Sequence, residues 1–249
     1  MYQKTEAFIL YSRNAAEADR IVTMFSRDYG KIQAKVKGIR NIKSRYGASL
    51  EQFSRGTFEL YCPPKGGWPL IINCHIHDQY RNLKKDLKCF SLANYLIEVI
   101  DKLTPYREYN PAVFILLFRV FKFLKEARKK EVVLWMAILK FFKITGWQLQ
   151  WEQCIFCQKK TPFVPIYFNA REGGIICPSC ASAEIEITVP TWQYLKRLET
   201  LKWPLCTSLK PPEKIHQELD KILEMCVMEH IPSGLKSRGF LDKMKKGVV

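Results

Sequence analysis

The sequence predicts an α+β multidomain protein, in which a small antiparallel β-barrel precedes a helical bundle. Short runs rich in β-branched and aromatic residues fill the first 80 residues. Beyond them, apolar residues recur every three or four positions, as on one face of a helix. Two Cys-x2-Cys pairs interrupt the helical pattern. We therefore expect a first domain over residues 1–80, a helical domain over 81–249, and a cysteine-rich insertion at about 151–183.

Five short strands are predicted in the first domain. The clearest begins at Lys31, where polar and apolar residues alternate strictly, as in a strand with one face in water. A Pro-Pro-Lys-Gly-Gly loop separates the last two strands, and a long loop follows the third. This arrangement favours a five-stranded OB-fold β-barrel. The predicted strands are residues 7–11, 21–25, 31–38, 53–62 and 70–77.

Helical periodicity begins at Leu83 and continues to Ile100. Asn110 and Pro111 then have the residue types of an N-cap and of a first helical position. A third helix is expected to end at Gly146, because glycine readily takes the left-handed conformation that follows many helices. The third helix and two later ones are predicted at residues 132–145, 191–201 and 212–230.

The cysteine pairs have the spacing of a structural zinc site. Nineteen residues separate Cys157 from Cys177, so the pattern is C-x2-C, nineteen residues, C-x2-C. Each pair forms a tight turn, and two such turns can surround one ion at about 2.3 Å per sulfur. We predict one zinc ion, bound by Cys154, Cys157, Cys177 and Cys180. Four protein ligands leave no open position, so this zinc would stabilise the fold rather than catalyse. A redox role for the C-x-x-C pairs is the minor alternative.

The chain is strongly basic, with a formal charge of +16 and a pI near 9.4. An excess of this size favours a polyanionic partner, either nucleic acid or an acidic membrane, although it could also serve solubility alone. The longest apolar run, residues 112–118, is far shorter than the ~20 residues that span a bilayer. No secretory leader is recognisable, and five scattered cysteines outside the zinc set suggest a reducing cytoplasm.

Basic residues are concentrated around the third predicted strand and the loop after it. Lys35 and Lys37 share one strand face, and the loop continues the positive charge. A basic strand face beside a basic loop is how a barrel follows a phosphate backbone, although a solvated surface is the simpler alternative. The predicted DNA-binding residues are Arg27, Lys31, Lys35, Lys37, Arg40, Lys43, Arg45 and Arg55.

No catalytic motif is recognisable in the sequence. The nucleotide-binding, nucleophile-elbow and metalloprotease patterns are all missing. His75 and His77 stand two apart on a predicted strand without an accompanying carboxylate motif, which favours ordinary polar strand residues over a metal site. The sequence therefore predicts a protein that is not an enzyme.

Several stretches, in this order and spacing, resemble the bacterial recombination mediator family RecO. They extend from the N-terminus through the first cysteine pair, Cys154 and Cys157, to the C-terminal region. The remaining matching stretches are residues 5–10, 17–25, 29–31, 37–40, 43–45, 139–143, 146–147 and 235–241. The resemblance covers the whole chain and implies an OB barrel followed by a helical domain with a zinc knuckle.

The resemblance implies a DNA-repair mediator of the RecF pathway in the bacterial cytoplasm, associated with the nucleoid. Such proteins bind single- and double-stranded DNA and anneal complementary strands. They act with RecR, bind the acidic C-terminal tail of single-strand-binding protein, and help RecA load onto coated DNA. For that tail we predict a site at Arg128, Lys140 and Lys143, beside apolar helix surface. The alternative is a zinc-ribbon RNA-binding accessory factor of the ribosome or of transcription, which would share the charge, the barrel and the zinc.

Overall fold

The computed structural model describes residues 1–15, 19–37 and 50–245, with side chains up to residue 242. The chain divides into two compact units. The barrel unit comprises Met1–Asp86 and Ile100–Phe118, and the helical unit comprises Leu87–Val99 and Arg119–Val249. Two helices contribute residues to both units, because the divisions at residues 99–100 and 118–119 fall inside them.

Five strands close into a barrel in the barrel unit, which confirms the predicted fold class. Their order is β1-β2-β3-β5-β4, with β4 pairing back onto β1. All neighbours are antiparallel except β3 and β5, which join in parallel at Lys35 and Leu70. This order and closure are those of an OB fold. The strands are β1 (Tyr2–Asn14), β2 (Arg20–Ser26), β3 (Gly30–Val36), β4 (Arg55–Tyr61) and β5 (Leu70–Asp78).

The strand alternation fixes which side chains fill the barrel. Ile9, Val22, Met24 and Phe58 belong to one cluster of fully buried apolar residues. The fourth strand begins at Arg55 rather than at the predicted Phe53, because Phe53 has a φ of 70°, outside the strand region. Its ring is nevertheless completely buried.

A segment at residues 104–109 lies on the outside of the barrel, within the same unit. Tyr106 forms a parallel bridge with Lys31, and the backbone N–H of Arg107 donates to the Lys31 carbonyl at 2.8 Å. Gly30 allows this approach, because a Cβ there would come within 1.8 Å of the Glu108 carbonyl oxygen. The segment therefore covers one end of the third strand.

Seven α-helices, and a 3₁₀ helix at Trp203–Thr207, occur in the part of the chain that the structure describes. The predicted N-cap is confirmed, since the Asn110 side chain accepts from the N–H of Val113 at 3.3 Å. The first predicted helical face is divided between two helices, because Asp86 between them is extended. The helices are α1 (Arg81–Lys85), α2 (Leu87–Leu103), α3 (Pro111–Leu124), α4 (Lys130–Ile144), α5 (Val189–Thr200), α6 (Glu213–His230) and α7 (Lys236–Lys245).

The central element of the helical unit is α4, which packs against α5 and α6. Residues 132–139 are apolar without interruption and all are buried, as expected for a helix surrounded by protein. Its end is as predicted: Gly146 has a φ of 86°, and the N–H of Trp147 donates to the Phe142 carbonyl at 2.7 Å.

The cysteine-rich insertion contains a small sheet of three strands in the order β7-β6-β8. These strands are β6 (Ile166–Asn169), β7 (Gly174–Ile176) and β8 (Ile185–Ile187). Gly173 makes the turn before β7 with a φ of 70°, and its N–H donates to the Asn169 carbonyl at 3.0 Å. Among the described residues, no helix combines the length and apolar character that crossing a bilayer requires.

Candidate nucleic-acid interface and metal centre

The two cysteine pairs lie together at one point of the insertion. The sulfur atoms of Cys154, Cys157, Cys177 and Cys180 are all within 4.8 Å of one another. The Cys157 and Cys177 sulfurs are 3.6 Å apart. Four thiolates around one zinc ion lie about 3.8 Å apart, as the edges of a tetrahedron with 2.3 Å bonds. The four cysteines are therefore close enough to hold a metal ion, and a set of four soft sulfur ligands is compatible with zinc.

A tight backbone turn is present at each cysteine pair. Directly after the first pair, Gln158 has a φ of 60°, and its N–H donates to the Cys154 carbonyl at 2.9 Å. In the second pair, the N–H of Cys180 donates to the Cys177 carbonyl at 3.0 Å. These are the tight turns that the C-x2-C spacing predicts. The first turn leads into Lys159, whose carbonyl accepts from the N–H of Cys154 at 2.8 Å.

The thiols differ in how readily they lose a proton. Burial opposes ionisation of Cys154, but backbone N–H groups of Cys157 and Cys177 outweigh it and lower its pKa to about 6. Hydrogen bonds with the Cys157 and Cys177 side chains raise the pKa of Cys180 to about 12. Backbone donors aimed at a sulfur stabilise its thiolate form, which is the form that binds metals.

Two predicted DNA-binding lysines and one arginine lie on the outside of the barrel. Lys37 is exposed directly after β3, and Lys35 is half-buried with its ammonium 2.8 Å from the Asp19 carboxylate. Arg27 has an exposed side chain and lies 4.0 Å from Glu6. Arg27 and Lys37 are therefore open to solvent, whereas Lys35 is partly covered and paired with Asp19.

Lys31 and Arg55 are engaged within the barrel unit instead. The Lys31 side chain is only 5% exposed, forms an ion pair with Asp101 at 3.2 Å, and lies 4.3 Å from the centre of the Tyr106 ring. Arg55 binds Glu6 at 2.5 Å and lies over the ring of Phe118. Alternation along a strand indicated which side chains point outward, but it could not show that Lys31 is covered by a later segment. The remaining predicted residues, Arg40, Lys43 and Arg45, lie outside the described residues.

The structure adds an aromatic residue that the sequence analysis did not select. Trp68, in the loop between β4 and β5, is 45% exposed, and the Arg13 guanidinium lies 5.7 Å from its ring centre. In the sequence, Trp68 follows Gly66 and Gly67 and precedes Pro69, and this turn composition is the signal that places it in a loop.

The three predicted tail-binding residues lie in the helical unit. Arg128 and Lys143 are exposed. Lys140 is half-buried and donates to the Glu199 carbonyl at 2.9 Å. Burial lowers the pKa of Lys140, and the positive charges of Arg119 and Lys143 lower it further. Arg119 therefore lies close enough to act on the charge of Lys140, although it was not predicted.

The histidine pair on β5 behaves as polar strand residues. The rings of His75 and His77 meet edge to face, and the His77 Nε2 is 2.8 Å from the Thr57 hydroxyl. Within the described ranges, the four cysteines are the one group of three or more side chains that could hold a metal ion.

Comparison with known proteins covers nearly the whole chain. The sequence model described as "Recombination protein O N terminal" matches residues 1–80, and "Recombination protein O C terminal" matches residues 84–239. Similar curated proteins are named DNA repair protein RecO. One from Caldanaerobacter subterraneus is 28% identical over 98% of both chains. One from Alkaliphilus metalliredigens is 31% identical over 93% of this chain and 94% of its own. The chain therefore belongs to the recombination protein O (RecO) family, whose members are DNA repair and recombination proteins.

Proposed function

We propose that this protein is a recombination mediator that binds single- and double-stranded DNA and anneals complementary strands. The observation that carries the proposal is the family match, which includes both the barrel and the helical residues. The charge of +16 supports a polyanionic ligand. We place DNA contact on the barrel, within the predicted domain of residues 1–80, at Arg27, Lys35, Lys37 and the basic residues that follow them.

Annealing requires no nucleotide hydrolysis in this proposal. Cations on the barrel neutralise phosphates on both strands, which lowers the repulsion between them and releases condensed counterions. The affinity for DNA then falls steeply as salt rises. Because the sequence contains no recognisable nucleotide-binding or nucleophile motif, we propose a mediator and not an enzyme.

Protein partners are assigned to the helical unit. The acidic tail of single-strand-binding protein would meet Arg128, Lys140 and Lys143, since its carboxylates need cations beside apolar surface. Together with RecR, the protein would then help RecA load onto coated single-stranded DNA. These events take place where the chromosome is, in the bacterial cytoplasm and at the nucleoid.

The metal in this proposal is a structural zinc ion. Cys154, Cys157, Cys177 and Cys180 would hold it, and their four thiolates leave no position for water or substrate. When bound, zinc contributes its binding free energy to the folding of the small insertion. No contact with DNA is assigned to it.

Strand annealing tests the proposal. Two complementary oligonucleotides, each coated with single-strand-binding protein, are mixed without nucleotide, and duplex formation is followed by fluorescence transfer. Acceleration by this protein is the expected result. DNA binding without acceleration would reject the mediator role. In that case structured RNA becomes the next ligand, and a strong preference for it would support the RNA-binding alternative.

A further inference from the structure

We propose that Trp68 and Arg13 form a binding site for an unpaired base of single-stranded DNA, next to Lys35 and Lys37. This inference rests on the proposed function and deepens it. The barrel would use one small, open part of its outer surface to distinguish single strands from duplex DNA. The site is built from β1, β2, β3 and the loop between β4 and β5, all within the barrel unit.

Strand register places the open part of this surface. Arg13 pairs with Ile21, and Ile21 pairs with Lys35, so the three residues form one row across β1, β2 and β3. Paired residues point to the same side of a sheet. The barrel core contains the neighbouring Val22 and Ala34, so this row faces outward. Ile21 at its centre is only 3% exposed, so the accessible groups of the row are the exposed Arg13 and the half-buried Lys35. The outer face of the second and third strands, with the loops beside it, is the part of OB folds that binds oligonucleotides.

The other part of the same face is already covered by the protein itself. One row along, Tyr11 pairs with Thr23, which pairs with Gln33. The Tyr11 hydroxyl donates to Asp101 at 3.0 Å, and Gln33 donates to the Tyr106 hydroxyl at 3.1 Å. A strand of DNA cannot displace these groups without breaking their contacts. Approach is therefore restricted to the row that contains Arg13 and Lys35.

The loop before β5 holds Trp68 at the edge of that row. Gly66 and Gly67 have φ values of 85° and 103°, a conformation that turns the chain back sharply. Directly after Trp68, the carbonyl of Pro69 accepts from the N–H of Lys35 at 2.7 Å. This bond joins the loop to β3 at the residue next to the exposed Trp68.

The chemistry of the site suits a nucleobase. An exposed indole with a guanidinium 5.7 Å from its ring centre offers a flat aromatic surface and a cation together. Stacking of a base on an aromatic side chain contributes about 1–3 kcal/mol and tolerates any sequence. Bases in a duplex are already stacked on one another, so only an unpaired base can use the indole. Lys37 follows Lys35 by two residues, and Lys65 precedes Trp68 by three. Both lysines are exposed and can neutralise phosphates of the same strand.

The test compares Trp68→Ala, Trp68→Phe and the exposed aromatic control Tyr109→Ala in the full-length, zinc-loaded protein. Binding is measured by fluorescence anisotropy with three labelled ligands of about 12 nucleotides, a length within the site size of OB folds. The ligands are an oligothymidylate, an abasic strand with the same phosphates, and a duplex. For Trp68→Ala we expect a loss of about 5- to 100-fold on the oligothymidylate, from the cost of one stacked base. Binding to the abasic strand and the duplex should stay unchanged, and Trp68→Phe should retain most of the affinity.

A second measurement does not depend on how well the alanine variant folds. The chain has six tryptophans, so the fluorescence of Trp68 is the difference between the wild type and Trp68→Phe. Oligothymidylate should quench that difference, and the abasic strand should not. Unchanged binding of Trp68→Ala, equal losses on all three ligands, or no quenching would overturn the inference while leaving DNA binding in place. A wild-type protein that binds none of the ligands would reject the proposed function as well.

Discussion

The ammonium group of Lys31 lies 3.2 Å from the carboxylate of Asp101 and also donates to the Asp101 carbonyl oxygen. The two residues are 70 positions apart and join β3 to the end of α2 within the barrel unit. Tyr106 covers the pair, with its ring 4.3 Å from the same ammonium. The positive charge of Lys31, which the sequence predicts on an outward strand face, is therefore neutralised by an ion pair within the protein.

Replacing Lys31 should reduce stability rather than remove a DNA contact. Lys31→Ala leaves the half-buried Asp101 carboxylate without its ion-pair partner, although the hydrogen bond from Tyr11 remains, and we expect a loss of about 1–3 kcal/mol in the free energy of unfolding. Urea denaturation measures it. The double variant with Asp101→Ala should recover part of the loss, because the two effects are not additive for a coupled pair. A Lys31→Ala protein that is fully stable but binds DNA poorly would contradict this assignment.

Lys35 and Lys37, at the other end of β3, should behave in the opposite way. Lys35→Glu combined with Lys37→Glu should weaken binding to all DNA sequences about equally, because phosphate contacts carry no sequence information. Lys37→Gln alone should reduce the slope of log affinity against log salt by about 0.7 for single strands, one released counterion. Titrations at several salt concentrations check both. Unchanged binding by the double variant would remove this face from the DNA site.

Loss of the metal should affect the helical unit selectively. Cys154→Ser, or chelation of zinc, is expected to unfold the insertion, because metal binding and folding share one free energy at such sites. The barrel should keep its DNA binding. Circular dichroism with limited proteolysis reports the unfolding, and anisotropy reports the binding. Cys62→Ser, outside the four-cysteine group, is the matched control. A zinc-free variant with full stability would show that the metal is dispensable.

A buried glutamate in the helical unit should make its stability sensitive to acid. Burial acts to raise the pKa of Glu131, but hydrogen bonds with His216 and Lys88 outweigh it and lower the pKa to about 2. The Lys88 ammonium is 2.5 Å from the Glu131 carboxylate. A lowered pKa means that the stabilisation is complete above the unfolded value of about 4.5 and disappears as pH falls towards 2.

Glu131→Gln should therefore lower stability at neutral pH, by at most about 3 kcal/mol. It should also flatten the dependence of unfolding free energy on pH between about 4.5 and 2. The exposed Glu126→Gln serves as the control. Urea denaturation at several pH values measures both effects, and parallel pH profiles for Glu131→Gln and the wild type would refute the role of this pair.

The C-terminal helix illustrates what local sequence could not reveal. The basic residues after Lys236 look like an ordinary charged tail, with no N-cap residue of their own. In the structure, the Glu98 carboxylate accepts from the N–H groups of Lys236 and Ser237 at 2.9 and 2.8 Å and caps α7. Arg238 then binds Glu224 at 2.5 Å. The cap comes from a residue more than a hundred positions away, so no window of sequence contains it.

The sequence by itself determined the barrel strands, most helix positions and the two cysteine pairs, because each is encoded by a pattern of residues close together in the chain. Alternation shows which side of β3 is buried, and the C-x2-C spacing creates its own turn. Only the tertiary structure decided what covers the outward side. It engaged Lys31 with Asp101, left Lys37 open, and brought Arg13 to Trp68. Periodicity records that a face is covered or exposed, whereas the identity of the covering residue depends on long-range packing.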